Sequence, residues 1–380
     1  MGLFDLDGTK ELGVFKREST GKRKVLIDFS HLSHRNIFVA QSKIVYNKAQ
    51  IIQDVSKYKE IIKGDIDKSA IVTDMYFHLM LNSIVALKKK FKISSEDIYI
   101  CIDSYSWRKD FYKEYKAHRA KAKKDSDLDW SLFYGVQNEL LEILSNTTKI
   151  NCIGVKYAEA DDIIFTLARK FSSEGYETIV STSDKDLKQC MMYKNVRMWD
   201  PMKQEEVSGF TEKQLMHHIL IGDSSDNIPS IKDGCEFTDQ FITFLKTKNI
   251  FLQDVYEVTK LEIFNTIKDE FIKSLKLKDC DEFQKLYKPG RFAEKTADKL
   301  MLQPNGGFNE IFSHEVIKRN FFRNRKLIDM RKIPYFVKQS IIDTFDNMNF
   351  EKKNDMFSLQ DWMVLHKLKQ IQKDISFLLT

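Results

Sequence analysis

Three short apolar runs in this chain end in aspartate or lead directly into it, and that pattern constrains the fold more than any other feature of its 380 residues. Val25-Leu26-Ile27-Asp28-Phe29 and Ile98-Tyr99-Ile100-Cys101-Ile102-Asp103 are continuous rather than alternating in hydrophobicity, as strands buried on both faces are. Thr178-Ile179-Val180-Ser181-Thr182 is a third such run and continues into Ser183-Asp184-Lys185-Asp186. Between the runs, the spacing of Met80, Ile84, Leu87 and Phe91 predicts a helix from about Ile71 to Phe91. Further helices are predicted over Trp130–Leu144 and Ala158–Phe171, the latter closed by Gly175. Strands alternating with helices imply an α/β fold with a doubly wound, mostly parallel sheet.

From about Thr211 onward the pattern is helical only. A helix over Thr211–Ile221, a turn at Gly222–Pro229 and a second helix from near Phe237 form an expected helix-turn-helix element. The expected organisation is an N-terminal extension (1–24), a sheet domain (25–210) and a mainly helical C-terminal domain (211–380). The amphipathic stretch Phe357–Leu379 is expected to pack on its own domain.

Ligands of an open parallel sheet bind at the carboxyl ends of its strands, where the loops converge on a crevice. Asp28, Asp103, Asp184 and Asp186 lie at such ends, and the first turn of the predicted helix at Ala158 adds Glu159, Asp161 and Asp162. A lone acid after a strand is ordinarily a turn former or a helix cap. Recurrence at three strand ends, joined by E-x-D-D, makes metal binding the expected role. Two carboxylates about 4 Å apart repel by about 4 kcal/mol at an effective dielectric near 20, so such a cluster requires a cation. Oxygen ligands favour magnesium or manganese, and no His or Cys is expected near these acids to favour zinc. Two such ions suit hydrolysis of a phosphodiester.

The net charge of +6 is modest, but it is localised. Between Ser104 and Asp125 eight basic residues face three acidic ones, interleaved with Trp107, Phe111, Tyr112 and Tyr115. Cations for phosphate and rings for unpaired bases suit single-stranded nucleic acid. Lys116 and Arg119 are expected on one helical face. No apolar run approaches the roughly 18 residues of a membrane span, and the five widely spaced cysteines form no C-x-x-C pair. Reduced thiols, a cytoplasmic location and no membrane association are therefore expected.

Taken in order, Val25-Leu26-Ile27-Asp28-Phe29-Ser30, Cys101-Ile102-Asp103, Tyr157-Ala158-Glu159-Ala160-Asp161-Asp162, Ser183-Asp184-Lys185-Asp186 and Gly222-Asp223-Ser224-Ser225-Asp226-Asn227 resemble the flap-endonuclease superfamily of 5′ nucleases. Trp107-Arg108-Lys109-Asp110-Phe111 and Tyr115-Lys116 point within it to the ribonuclease H type of T-even bacteriophages. The resemblance covers roughly Val25 to Asp233. It implies a PIN-like nuclease domain with a helical arch at about 104–130 and two magnesium sites, manganese substituting. Asp28, Asp103, Glu159 and Asp161 would serve the first site, and Asp184, Asp186 and Asp226 would lie nearer the second. Asp162 and Asp223 would act through water or neighbouring groups. Lys116 and Arg119 would hold the scissile phosphate, with Asp161 central to the chemistry, while Arg108, Lys109, Tyr112, Tyr115 and Lys121 would bind substrate. The implied activity is that of a 5′-to-3′ exonuclease and flap endonuclease on DNA with 5′ ends, flaps or forks and on RNA–DNA hybrids, removing primers in phage replication. A phage single-stranded-DNA-binding protein and a sliding clamp are the implied partners of a monomer. One departure concerns the glycine-rich continuation usual after D-N-I-P, which here reads Ser230-Ile231-Lys232-Asp233-Gly234. The competing functions are a non-cutting branched-DNA binding protein and a PIN-type RNA-processing nuclease.

Overall fold

The computed structural model describes residues 21–40, 68–125, 128–232, 294–303, 315–351 and 354–380, together with 270 and 273. The expected second helix near Phe237, most of the N-terminal extension and residues 41–67 lie outside the described residues.

A six-stranded sheet runs in the order β3-β2-β1-β4-β5-β6. Its strands are β1 (Arg23–Asp28), β2 (Ile98–Ile102), β3 (Asn151–Gly154), β4 (Glu177–Ser181), β5 (Val196–Asp200) and β6 (Glu205–Glu206). β1 to β5 are mutually parallel, and β6 is antiparallel at the edge. From β1 the chain builds outward through β2 and β3, then returns to β4 on the other side of β1. The order therefore reverses between β1 and β4, and this reversal opens a crevice at their carboxyl ends. The register pairs Asp28 with Cys101 and Ile27 with Ser181, which brings the ends of β1, β2 and β4 level.

Both faces of the sheet are covered, which is why its central strands read as unbroken apolar runs. Val25, Ile27, Ile98, Ile100 and Ile179 pack in one cluster with Tyr76, Phe77, Met80 and Ile84 of α2 (Lys68–Phe91) and Phe133, Leu140 and Leu144 of α5 (Trp130–Thr147). The opposite face carries Tyr99, whose ring lies 5.2 Å from that of Phe171 in α6 (Ala160–Ser173). α6 ends where Gly175 turns to φ +85°, with Tyr176 N–H donating to the Phe171 carbonyl at 2.9 Å. A helix over 29–40, α1, follows β1 directly, and the basic segment contains two short helices, α3 (Trp107–Phe111) and α4 (His118–Lys124).

The described residues form two compact units. The sheet unit extends to Lys113, resumes over Arg119–Thr211 and includes Ile333–Thr380. The other unit contains Glu114–His118 and the described part of Glu212–Lys332. This revises the expected helical domain over 211–380, because the chain from Ile333 onward returns to the sheet unit. Leu359, Met363, Leu368, Ile371 and Leu378 are buried in the same cluster as β1 and α2. Burial of those apolar positions, in and beside three short helices, is what ties the C-terminal stretch down.

In the other unit, α7 (Glu212–Ile221) packs against the helices Glu294–Met301 and Glu315–Ile328. The buried amides of Asn320 and Asn324 on the last helix donate to the carbonyls of Ile231, Ile219 and Pro229 at 2.8–3.0 Å, holding the loop after α7. No helix among the described residues is long and apolar enough to cross a membrane.

Candidate active site

Asp28 ends β1 almost fully buried. One carboxylate oxygen accepts the His31 N–H at 3.0 Å, and the other accepts the Thr182 hydroxyl at 3.0 Å. The Thr182 hydroxyl in turn accepts the Asp184 N–H at 3.0 Å, so the ends of β1 and β4 are bridged across the switch point. Burial pushes the Asp28 carboxyl up to about 7, and the charges of Asp103 and Asp184 push in the same direction while the His31 N–H opposes them. The Asp28, Asp103 and Asp184 carboxylates are therefore close enough to repel.

Asp103, exposed just past β2, accepts the Ala160 N–H at 2.7 Å and so pins the start of α6 to the end of β2. This places Glu159 as the N-cap of α6 and Asp161 in its first turn, where the helix dipole favours negative charge. Asp161 is half-buried, and its charge acts on Cys101 and Cys190. Burial, with the Asp28 charge adding for Cys101 and the Asp161 charge for both, pushes these thiols up and keeps them protonated. Asp184 caps the 3-10 turn Lys185–Met192 by accepting the Asp186 N–H at 2.9 Å, and both acids are half-buried.

Arg108, expected among the substrate-binding cations, is instead buried. Its guanidinium lies 2.9 Å from both Glu159 and Asp162, and Asp162 also accepts the Glu159 N–H at 3.0 Å. Burial raises the Asp162 carboxyl and Arg108 opposes the rise. The pair Glu159 and Asp162 thus meets its cation within the fold, and Asp162 faces Arg108 rather than open space. Asp200, which the sequence reading did not single out, ends β5 and accepts the Ser183 hydroxyl at 2.5 Å and the N–H groups of Met202 and Lys203, closing the turn to β6.

The second unit holds the remaining predicted acids. Asp223 accepts the N–H and hydroxyl of Ser225 through one oxygen and lies 2.8 Å from His218 Nε2 through the other. His218 at Asp223, His31 near Asp184, and Cys101 and Cys190 near Asp161 together correct the expectation that no His or Cys stands near the acids; the only sequence signal of His218 is a separation of five residues across the turn. Asp226 accepts the phenol O–H of Tyr115 at 2.9 Å and lies 3.7 Å from Lys116 Nζ. Tyr115 is buried, so its ring is not a surface for base stacking. Lys116 sits in a turn at φ +55° and α4 starts only at His118, so Lys116 and Arg119 do not share a helical face. Arg119, Lys109 and Lys121 are exposed, and Tyr112 is half-buried at the end of α3.

Several relatives match parts of the chain. Ribonuclease H of Enterobacteria phage T4 is 36% identical over 178 residues, covering 45% of this chain and 58% of that protein. Flap endonuclease Xni of Shewanella amazonensis is 33% identical over 138 residues, covering 34% of this chain and 51% of the relative. The 5′-3′ exonuclease of Mycoplasmopsis pulmonis is 25% identical over 233 residues, covering 57% and 64%. The chain thus spans between half and two thirds of the length of these relatives. A solved T5 5′-exonuclease with bound zinc ions superposes with a TM-score of 0.42 at 14% identity, covering 94% of this chain and all of the other, too loose a likeness to support an argument. The family model for the 5′-3′ exonuclease N-terminal resolvase-like domain matches residues 23–219, just over half of the chain and the stretch that contains every strand described above, and the protein belongs to this 5′ nuclease family.

Proposed function

We propose that this protein is a structure-specific 5′ nuclease that hydrolyses phosphodiesters in DNA with 5′ ends, flaps or forks and in RNA–DNA hybrids, using two divalent cations, magnesium by preference. The observation that carries this reading is the convergence of Asp28, Asp103 and Asp184 at the level ends of β1, β2 and β4, where burial, with the charges of Asp103 and Asp184 adding, raises the Asp28 carboxyl to about 7. A divalent cation is the natural counter-charge for such a set, and carboxylate oxygens favour a hard ion such as magnesium. Asp28, Asp103, Glu159, Asp161, Asp184 and Asp186 would hold the ions, and Asp162 would act through Arg108 and the Glu159 backbone. When bound, magnesium would lower the pKa of a water nucleophile and offset charge on the leaving oxygen.

The chain's own residues do the rest. Asp28 is held by His31 and Thr182, and Asp103 by the first turn of α6, so two carboxylates are oriented before any ligand arrives. Arg108 removes the repulsion between Glu159 and Asp162. Lys109, Arg119 and Lys121 supply exposed cations for the phosphate backbone, and Lys116 is the candidate clamp on the scissile phosphate. Removal of RNA primers and 5′ flaps during replication is the setting that fits such an activity, with a single-stranded-DNA-binding protein and a sliding clamp as the proposed partners.

The test is incubation of a 5′-flap substrate, labelled at its 3′ end, with and without magnesium. Magnesium-dependent products ending in a 5′-phosphate support the proposal. Shifted but intact DNA at every magnesium concentration would instead assign the protein to branched-DNA binding without cleavage, and preference for structured RNA would assign it to RNA processing.

A further inference from the structure

Lys116 is tied to Asp226 through both its backbone and its side chain. Its backbone N–H donates to the Asp226 carbonyl at 2.9 Å, and its Nζ lies 3.7 Å from Asp226 Oδ2 and 4.8 Å from the centroid of the Tyr115 ring. The Tyr115 phenol donates to that same Asp226 oxygen at 2.9 Å. Next to it, Asn227 at φ +59° donates its side-chain amide to the Glu114 carbonyl at 2.8 Å. Lys116 itself occupies the left-handed region, φ +55°, which a residue with a side chain adopts only where its surroundings over-determine it. All of these residues belong to one compact unit.

We infer that Tyr115 and Asp226 are positioning residues for Lys116: the buried phenol fixes the Asp226 carboxylate, and the carboxylate with the Tyr115 ring fixes the lysine ammonium. This rests on the reading of Lys116 as the group that meets the scissile phosphate. A free lysine is a hydrated point charge on a flexible four-carbon stem, and much of its interaction with phosphate is lost in ordering that stem. Presetting the ammonium makes the phosphate contact effective where charge develops in the transition state. It also explains why an aromatic residue in the basic segment is buried instead of offered to a base. Asp226 thereby has a positioning task, since the phenol and the ammonium both address its carboxylate.

The test uses Tyr115→Phe, which keeps the ring and removes the donor, and Asn227→Ala, which cuts the tie to Glu114 and adds some strain at the left-handed φ of +59°. Two readouts are taken on the full-length protein. The first is cleavage of a 5′-flap substrate resolved into kcat and KM. The second is the rate of tryptic cleavage after Lys113, Lys116 and Arg119 in EDTA. For Tyr115→Phe we expect kcat to fall about tenfold at nearly constant KM, and tryptic cleavage after Lys116 to accelerate at least several-fold with the melting temperature unchanged. Asn227→Ala should move both readouts in the same direction by less. Wild-type kcat and tryptic rates in Tyr115→Phe would overturn the inference, as would a loss of kcat that merely tracks a lowered melting temperature in both variants. Absence of cleavage by the wild-type protein would overturn the nuclease reading instead, while the tryptic readout in EDTA would still decide whether Tyr115 and Asp226 hold Lys116.

Discussion

Arg108 and Glu159 meet as a buried ion pair 2.9 Å apart, one from the helix that opens the basic segment and the other from the N-cap of α6. The same guanidinium reaches Asp162, which is fully buried. Removing the cation while leaving the acids strands two carboxylates out of water, a change that costs about 3–5 kcal/mol. Arg108→Met is therefore expected to lower stability by that order in urea unfolding, and Asp162→Asn added to it should recover part of the loss. If Arg108→Met unfolds at the wild-type midpoint, the pair contributes nothing and the assignment of Arg108 as internal counter-ion is wrong.

The turn after α7 depends on Gly222. Its φ is +76°, and a Cβ built there would lie 2.3 Å from the Ile228 carbonyl oxygen, inside the backbone bridge between Asp223 and Ile228. Gly222→Ala should cost more than about 2 kcal/mol through clash and backbone strain. Gly135 is the control: it is exposed within α5 with nothing within 4 Å of an added Cβ, so Gly135→Ala should stabilise by about 0.5–1 kcal/mol. Thermal unfolding of the two variants should give shifts of opposite sign.

Lys88 is a buried amine that donates to the Ser95 hydroxyl at 2.5 Å, and that hydroxyl donates to the Leu378 carbonyl in the C-terminal helix Ile375–Leu379. Burial lowers the Lys88 ammonium from its ordinary 10.5 to about 8, with the charges of Asp97 and Glu96 opposing. A base whose pKa is depressed by folding contributes its full stability above the unfolded value and loses it as pH falls through the folded value. The contribution is thus complete above about 10.5 and is lost on descending through about 8. Lys88→Met, close in length and without charge, should raise the melting temperature relative to wild type at pH 6.5, and the difference should shrink or reverse at pH 10. Equal differences at the two pH values would contradict the burial argument.

Asp161→Asn should abolish cleavage while preserving affinity for flap DNA, or raising it, because one negative charge facing phosphate is removed. Electrophoretic shift in calcium and cleavage in magnesium separate the two effects. Near-normal turnover would remove Asp161 from the cation site.

Much of the sheet domain was legible because its strands are buried on both faces and its acids sit at strand ends. β1, β2, β4 and α6, with Gly175 closing that helix, are visible in apolar run length and in one glycine. β3 escaped because Asn151–Gly154 is four residues of mixed polarity that gain strand character only from pairing with β2. β5 escaped because Val196–Asp200 is short and broken by Arg197, so its strand character comes from pairing with β4.

Side-chain roles were less legible than strands. Arg108, Tyr115 and Lys116 look alike in a run of cations and rings, yet the first two are buried and the third is held in a left-handed turn. Their partners Glu159, Asp162 and Asp226 lie 51, 54 and 111 residues away, beyond the reach of local pattern. The return of Ile333–Thr380 to the sheet unit is of the same kind: apolar spacing shows that those helices have a face to bury, and only the three-dimensional fold shows against what.

The central claim is that the acids at the β1/β4 switch point take up divalent cations. Isothermal titration of metal-free protein with manganese, at pH 7.5 and without nucleic acid, tests it most directly. The account predicts saturable uptake by the wild-type chain and its loss in Asp28→Asn/Asp184→Asn, with the double variant still folded by circular dichroism. Uptake of equal stoichiometry and affinity in the folded double variant would contradict it.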